Sequence, residues 1–551
     1  MPQENTKLEG NEIAGIDRYS GEDAQRMNIL ATRVVAETIK TTLGPKGMDK
    51  MLVDSSKDVA ITDSGSTILS LINLKHPAAR MLVNVAETQD KEVGDGSTTA
   101  VVLTGELLKN AEELLNQGLH PITIVKGYRM AEEKALKFLE ESSFAVSDGD
   151  LINLARTILM GKVGKEEVEH LARIAVEAVN IAIDADNIKI EYRPGGRICD
   201  TKLIKGIMID LGKRVHPAMP KKVRGGRILL IDKEFDVRNP KNAKIEMYAP
   251  SDMRAFSQYK EKVLRVAVDI IARSGANVVL CQKNIADVAM FYMAQAGILG
   301  VRDVERDVLE LLEKATGAKI VSNINEVNPS VLGYAGLVEE SKIGIEEIMY
   351  ITECREPKAA GILIRGGSEN IAMEVKRRME DLVAVLSHVK KDMKAIAGGG
   401  AVELEISRKL RKYAKEIEGK EQLAVEAYAS ALEVIPKALA YNSGQNPIDI
   451  LTRLRAEHER GRSTAYYDVE EGKIRDARET GLIEYIGTKR QAIKSSTEVA
   501  NTILRIDEVL LAKGFGKEKP PAEAPPEPEG PPVMDFPAKG GKIDLAAMRK
   551  G

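Results

Sequence analysis

The sequence predicts a multidomain protein of α and α/β units, with helix-rich ends flanking an α/β middle. Three observations predict it. The chain has 551 residues, enough for about three compact units. Apolar positions recur at helical spacing over most of residues 21–146 and again from 402 to about 512. Between them, over residues 216–366, short apolar runs of buried-strand type alternate with helix-like segments. The two helical ends are expected to pack together as one discontinuous domain.

Composition narrows the function. Apolar residues make up 43% and charged residues 30%, which suits a globular protein with ample core. Trp is absent and aromatics are only 4%, so that core must be aliphatic. The 80 basic and 83 acidic residues are interspersed, which argues against a nucleic-acid footprint or an anionic-membrane surface. Cys199, Cys281 and Cys354 lie far apart and form no disulfide framework, and the six histidines show no zinc spacing. The polar start Met-Pro-Gln-Glu-Asn-Thr-Lys has no signal-peptide core and no apolar run approaches membrane-spanning length, so a cytoplasmic protein is expected.

In chain order, residues 1–20 read as a loose arm. A helix over Gly21–Thr41 stops at Leu43-Gly44-Pro45-Lys46-Gly47, where Gly and Pro force a tight turn. Strand-like Met51–Val53 and Val59–Thr62 precede a small-residue loop, Asp63-Ser64-Gly65-Ser66-Thr67. A third loop, Gly94-Asp95-Gly96-Ser97-Thr98-Thr99-Ala100, opens a helix that runs to about Gly118. That loop is either an anion site, with free N–H groups and Asp95 able to hold Mg²⁺, or an ordinary N-cap after a glycine turn. Three such loops in one helical region argue for convergence on one ligand.

Helices over Leu151–Lys162 and Glu167–Ala182 lead to a strand at Ile188–Tyr192. Arg227–Ile231 and Ala276–Cys281 are buried-strand runs. A helix starting at Pro250 carries Met253, Phe256 and Tyr259 among charges, as core or as a contact surface. A long helix from Ser368 to Val389 ends at Gly398-Gly399-Gly400, and helices follow at Val402–Ile417, Gln422–Ala440, Pro447–His458 and Ser495–Leu511. Eight of the 21 prolines fall between Pro520 and Pro537 amid Glu and Gly, a disordered-tail composition. No Walker loop, nucleophile elbow or His-Glu-x-x-His zinc motif is present. Gly-, hydroxyl- and carboxylate-rich loops without a nucleophile–base pair point to phosphoryl chemistry.

Thr42-Leu43-Gly44-Pro45-Lys46-Gly47-Met48-Asp49-Lys50 and Gly94-Asp95-Gly96-Ser97-Thr98-Thr99 resemble the nucleotide loops of group II chaperonins, the archaeal thermosome and eukaryotic cytosolic chaperonin family. Leu203-Ile204-Lys205-Gly206, Leu363-Ile364-Arg365-Gly366-Gly367 and Glu421-Gln422-Leu423-Ala424-Val425-Glu426-Ala427 add to the resemblance, which covers roughly residues 15–511. It implies an ATP-binding equatorial domain from 1–146 and 402–514, and an intermediate hinge domain from 147–215 and 367–401. The apical substrate-binding domain would be 216–366, with a lid protrusion near 245–270, followed by the tail at 515–551. It further implies a double ring of subunits that encloses non-native protein and closes on ATP hydrolysis, and the chain's departures from the family pattern add the alternative of rings mixed with paralogous subunits.

Residue by residue, the resemblance places Thr42, Leu43, Gly44 and Pro45 against the phosphates and Asp95 on Mg²⁺. Gly96, Ser97, Thr98 and Thr99 would cradle the β- and γ-phosphates, Gly398 and Gly399 would line the nucleoside, and Glu484 would lie near the ribose. Lys162 would approach the γ-phosphate, and Asp381 would orient the attacking water. Both would lie outside the phosphate cradle until a domain rotation brought them in. Met253, Phe256 and Tyr259 fall in the lid region. The chain departs from the family at Asp63-Ser64-Gly65, where Asn-Asp-Gly is usual, so Ser64 supplies no charge and Asp63 would have to substitute. Asp468-Val469-Glu470-Glu471-Gly472 and Tyr485 are further departures. They point to a divergent subunit: an ATPase slowed by Ser64 or, alternatively, a nucleotide-binding ring subunit or holdase with little hydrolysis.

Overall fold

The computed structural model describes residues 12–13, 16–53, 59–210, 216–236, 250–344 and 346–512. The expected tail at 515–551 and most of the expected N-terminal arm lie outside them, as do the side chains of Met253 and Phe256. Two compact units are present, one of residues 1–24 with 507–551 and the other of residues 25–506.

In the first unit, β1 (Glu12–Ile13) and β2 (Ile16–Ser20) form an antiparallel sheet with the last strand of the chain, Glu508–Ala512. Two sequence expectations change here. Residues 16–20 are a strand rather than part of a loose arm. The final helix stops at Leu504, after which Val509, Leu510 and Leu511 pair with residues 17–19. Apolar runs this short fit either period, and the pairing partner decides.

The second unit begins with α1 (Glu22–Lys40), most of which it contains, and the hairpin β3 (Lys50–Val53)–β4 (Val59–Thr62). Helices α2 (Gly65–Leu71), α3 (Pro77–Val93), α4 (Ser97–Asn116) and α5 (Pro121–Glu141) follow. Then come β5 (Phe144–Ala145), α6 (Asp150–Leu159), α7 (Lys165–Ala182), β6 (Ile188–Pro194) and β7 (Lys202–Ile204). The His-Pro pairs start α3 and α5 by one device. Proline takes the first turn, and Nδ1 of His76 or His120 accepts the N–H two residues on, at 3.3 and 3.2 Å.

The α/β middle holds β8 (Gly206–Asp210), β9 (Lys222–Ile231), α8 (Pro250–Ser274), β10 (Val278–Cys281), α9 (Asp287–Gln295) and β11 (Leu299–Val301). It continues with α10 (Arg306–Thr316), β12 (Ile320–Val321), β13 (Gly333–Ile343) and β14 (Glu346–Thr352). The sheet order is β11-β10-β9-β13-β14-β8, with β12 also on β9. β10, β11 and β12 run parallel to their neighbours and β13, β14 and β8 antiparallel. Val278, Val279, Leu280 and Cys281 are all buried, as a strand covered on both faces requires.

β15 (Ala360–Gly366) pairs with β6 and β7 and leads into α11 (Glu369–Asp392), and β16 (Lys394–Ala397) ends in the Gly398–Gly400 turn. The helices α12 (Ala401–Ala414), α13 (Glu421–Leu432), α14 (Val434–Asn442) and α15 (Pro447–Glu459) precede the hairpin β17 (Ala465–Asp468)–β18 (Lys473–Asp476). The expected single helix over 422–440 breaks at Glu433, with Pro436 in the first turn of α14. Last come α16 (Ala477–Thr480), β19 (Ile483–Tyr485), α17 (Ile486–Leu504) and β20 (Glu508–Ala512), the strand of the first unit.

α17 packs on α3, α4 and α5, and α13 packs on α4 and α5, so the two helical ends of the chain share one core. At its centre the rings of Tyr128 and Tyr428 meet edge to face with centroids 5.5 Å apart. Their hydroxyls reach the Leu107 carbonyl and Thr497 at 2.7 Å each, which satisfies both polar tips. Among the described residues no helix is long and apolar enough to cross a membrane.

Candidate functional site

All three Gly-bearing loops meet at a single cavity of about 590 Å³, within the range for a small-molecule site. Thr42–Pro45 form one wall, Asp63 and Ser64 a second and Gly94–Thr99 the floor. The floor is shaped by two backbone reversals. Gly94 closes α3 at φ 85° and Gly96 opens α4 at φ 87°. A Cβ on Gly94 would stand 2.9 Å from that of Ala384, and one on Gly96 would stand 2.6 Å from Thr488 Cγ2. Only glycine fits either place. No side chain caps α4, so its first N–H groups and positive dipole end lie at the cavity floor among the Ser97, Thr98 and Thr99 hydroxyls.

The opposite wall comes from α11 and the turn after α6. Asp381 and Lys162 line the same cavity as the loops. The resemblance implied that both stand outside the cradle until a rotation, whereas in this structure they already line it. The reason is steric and polar. Gly161, at φ 77°, lets the turn press onto the first loop, where a Cβ would lie 2.4 Å from Pro45 Cα. Arg378 of α11 donates to the Lys162 carbonyl and ties that turn to the helix.

Position 64 is committed elsewhere. Ser64 Oγ caps α2, accepting from Thr67 N–H at 3.5 Å and lying 3.0 Å from Ser66 Oγ. Its neighbour Asp63 also lines the cavity, and one oxygen of its carboxylate accepts from Arg378 Nη2 at 3.3 Å.

Glu484 is also occupied. It accepts the Gly399 N–H at 3.1 Å and pairs with Lys489 at 2.8 Å, and Lys489 pairs with Glu403 at 2.7 Å. Burial alone would lower the Lys489 ammonium, but Glu403 and Glu484 raise it instead, so it stays charged. Gly399 and Gly400 line the cavity. Gly398 sits behind them, its N–H bonded to the Leu482 carbonyl at 2.9 Å.

Tyr466, Tyr467 and Tyr485 line the cavity too. Tyr485 donates to Asp392 at 2.6 Å, a bond the usual proline could not make. Asp468 receives the Glu470 and Glu471 N–H groups at 3.0 and 3.1 Å and caps its own hairpin turn. Tyr259 lies on the exposed face of α8, apart from this cavity.

Electrostatically the end of the cavity around Asp95 is carboxylate-rich. Burial pushes the Asp381 carboxyl up to about 7; Lys162 and Arg377 pull it down while Asp90 and Asp95 push it further up. Asp90 is likewise raised, by burial first and then by Asp95, although Ser66 and Ser97 hydrogen bonds oppose this. Asp90, Arg377, Arg378 and Lys489 were not among the residues expected from sequence. A carboxylate in the last turn of α3, at the negative end of the helix dipole, is the signal that could have marked Asp90. Lys489 was hidden because α17 starts nine residues earlier than its apolar pattern indicated.

Residues 35–514 match the model of the TCP-1/cpn60 chaperonin family. The chain is 51% identical over 518 residues to a thermosome subunit of Pyrococcus abyssi, covering 92% of this chain and 94% of that one. Thermosome subunits beta and alpha of Archaeoglobus fulgidus are each 49% identical, over 518 and 520 residues, with 92% of this chain and 95% of each relative covered.

Proposed function

Because the chain belongs to the TCP-1/cpn60 chaperonin family as a group II chaperonin, we propose that it is an ATP-driven folding subunit, with the 590 Å³ cavity as its Mg²⁺·ATP site. The observation that carries the reading is the convergence of Thr42–Pro45, Gly94–Thr99, Lys162 and Asp381 on one cavity. The residues present fit the nucleotide and its metal. Positions 94 and 96 of the floor admit no Cβ, the uncapped N-terminus of α4 offers N–H donors to phosphate oxygens, and Asp95 offers a hard carboxylate. Asp95 would hold the metal, with Asp90 beside it. Bound Mg²⁺ would neutralise phosphate charge and polarise the γ-phosphorus towards attack.

The chain's own residues do the rest. Ser97, Thr98 and Thr99 hold the phosphate oxygens and fix the line of attack. Asp381, as carboxylate, holds the attacking water through one of its oxygens and receives its proton. Lys162 offsets charge growing on the transferred phosphoryl group. Gly399, Gly400 and the tyrosine wall take the nucleoside. Glu484 lines the cavity and would lie near the ribose, with its oxygens bonded to Gly399 and Lys489.

In the assembly, residues 1–146 with 402–514 serve as the equatorial domain, 147–215 with 367–401 as the intermediate domain and 216–366 as the apical domain. Non-native protein is the substrate, and the helix around Tyr259 belongs to the lid near 245–270. A groove of about 290 Å³ along α8, floored by Val263, Leu264, Ala267, Val321, Ile324 and Val327, offers an apolar surface for an unfolded segment. That two relatives from one organism are named thermosome subunits alpha and beta supports an assembly shared with paralogues, for which a double ring in the cytoplasm is the proposed form. The reading as a holdase with little hydrolysis is not adopted.

The test is phosphate release by the purified assembly, imaged as rings by electron microscopy. Wild type should hydrolyse Mg²⁺·ATP. Asp381→Ala should keep nucleotide binding and lose at least about a hundredfold in turnover. Undiminished turnover in that variant would refute the assignment.

A further inference from the structure

Two consecutive arginines on α11 gather the machinery at the phosphate end. Arg378 is buried, and each nitrogen of its guanidinium faces a different partner. Nε donates to Glu374 at 3.1 Å, Nη2 to Asp63 at 3.3 Å and Nη1 to the Lys162 carbonyl. Arg377 donates to Thr62 and Glu374 at 2.7 Å each, and to Thr67. The β4–α2 turn and the Lys162 turn, which are about 100 residues apart in sequence, thus hang from one helix. Asp381 stands three residues on from Arg378 in that helix, less than one turn away.

We propose that Arg378 is the positioning residue of this site: its three-way fork fixes Lys162 and Asp63 to the helix that carries Asp381. The inference rests on the ATPase reading above. A planar guanidinium suits the task because its donors point in fixed and different directions, whereas an ammonium on a flexible stem cannot hold a carbonyl, a carboxylate and Glu374 together. The same fork keeps Asp63 from filling the place of the acid that position 64 lacks. Arg378 therefore acts on turnover through two other residues and touches no reacting atom.

Phosphate release and binding of Mg²⁺·AMP-PNP, measured on the intact assembly, test this. Arg378→Met should lose about tenfold in turnover while its affinity for the analogue stays within about twofold. Arg378→Lys should fall between, recovering part of the rate and not all of it. Asp63→Asn should add less than about twofold to the loss in the Arg378→Met background, since both changes cut one link. Hydrogen exchange of the Gly161–Gly164 amides should speed up in Arg378→Met with no nucleotide present. That readout does not need hydrolysis.

An Arg378→Met assembly as fast as wild type or faster, a loss carried wholly by weaker analogue binding, or multiplicative losses with Asp63→Asn would overturn the proposal. Should Arg378→Met fail to fold, an undiminished rate in Arg378→Lys would do the same. If wild type releases no phosphate, the ATPase reading fails, and unchanged exchange at residues 161–164 would then overturn the positioning role separately.

Discussion

At the scale of single residues, the proposed ATPase gives Ser64 and Asp381 different effects on turnover. Ser64 caps α2 and one Asp63 oxygen is bonded to Arg378, so in the proposed site position 64 adds no charge beside the metal. Ser64→Asp should raise kcat about 10–100-fold, equal to roughly 1.4–2.7 kcal/mol of restored charge interaction. Aspartate caps a helix as well as serine does, so α2 should survive the change. Phosphate release without gain would sink the idea of a slow site. Asp381 must be ionised to receive a proton, and its carboxyl sits near 7, so turnover should fall as pH drops through that region. Stability runs the other way. A carboxyl raised from 3.8 to about 7 in the fold binds protons more tightly there than in the unfolded chain. Its contribution is fully present below the unfolded value and lost as pH rises through 7. Asp381→Asn should thus be the more stable protein above pH 7, by roughly 1–3 kcal/mol, and show little difference near pH 4. Paired melts at the two pH values decide it.

Elements matter through where their turns allow contact. The turn after α6 reaches the Thr42–Pro45 loop only because position 161 has no side chain. Gly161→Ala adds a methyl against Pro45 and asks an alanine to hold φ 77°. The turn should be pushed off, costing about tenfold or more in turnover with nucleotide affinity little changed. Steady-state kinetics with equal loss in binding would contradict this. The same contrast shows what was legible in sequence. Gly94, Gly96, Thr42–Pro45 and the α4 start could be read because turn chemistry is local. The arginine fork could not, since apart from Glu374 the partners of Arg377 and Arg378 lie over 200 residues away in sequence. Strand β20 was misread for a related reason: its partner is at the other end of the chain.

At the scale of the molecule, the unit of residues 25–506 draws its two helical stretches together at the site. β16 lies between β5 and β19, so residues 144–145, 394–397 and 483–485 form one sheet. α17 closes the core of α3, α4 and α5 and brings Lys489 beneath Glu484. A chain ended at residue 401 would leave Tyr128 without its aromatic partner and those three helices with an open apolar face. It should bind no nucleotide, since the fold gathers its cavity from both halves, while the α/β middle, which keeps its own core, should still melt cooperatively. Nucleotide binding by the truncated chain would contradict this account. That the two helical ends form one core was foreseeable from their shared periodicity; the identity of the buried pair at its centre was not.

The tyrosine wall has one more consequence. The chain holds 14 tyrosines and no tryptophan, and Tyr466, Tyr467 and Tyr485 line the cavity. Its ultraviolet emission is therefore tyrosine emission alone, undimmed by transfer to an indole. A ring that stacks on an entering base, or breaks its bond to Asp392, would change that emission with no label attached. A single tryptophan placed elsewhere and excited to the red of tyrosine absorption would report on its own surroundings, with no other indole to contribute.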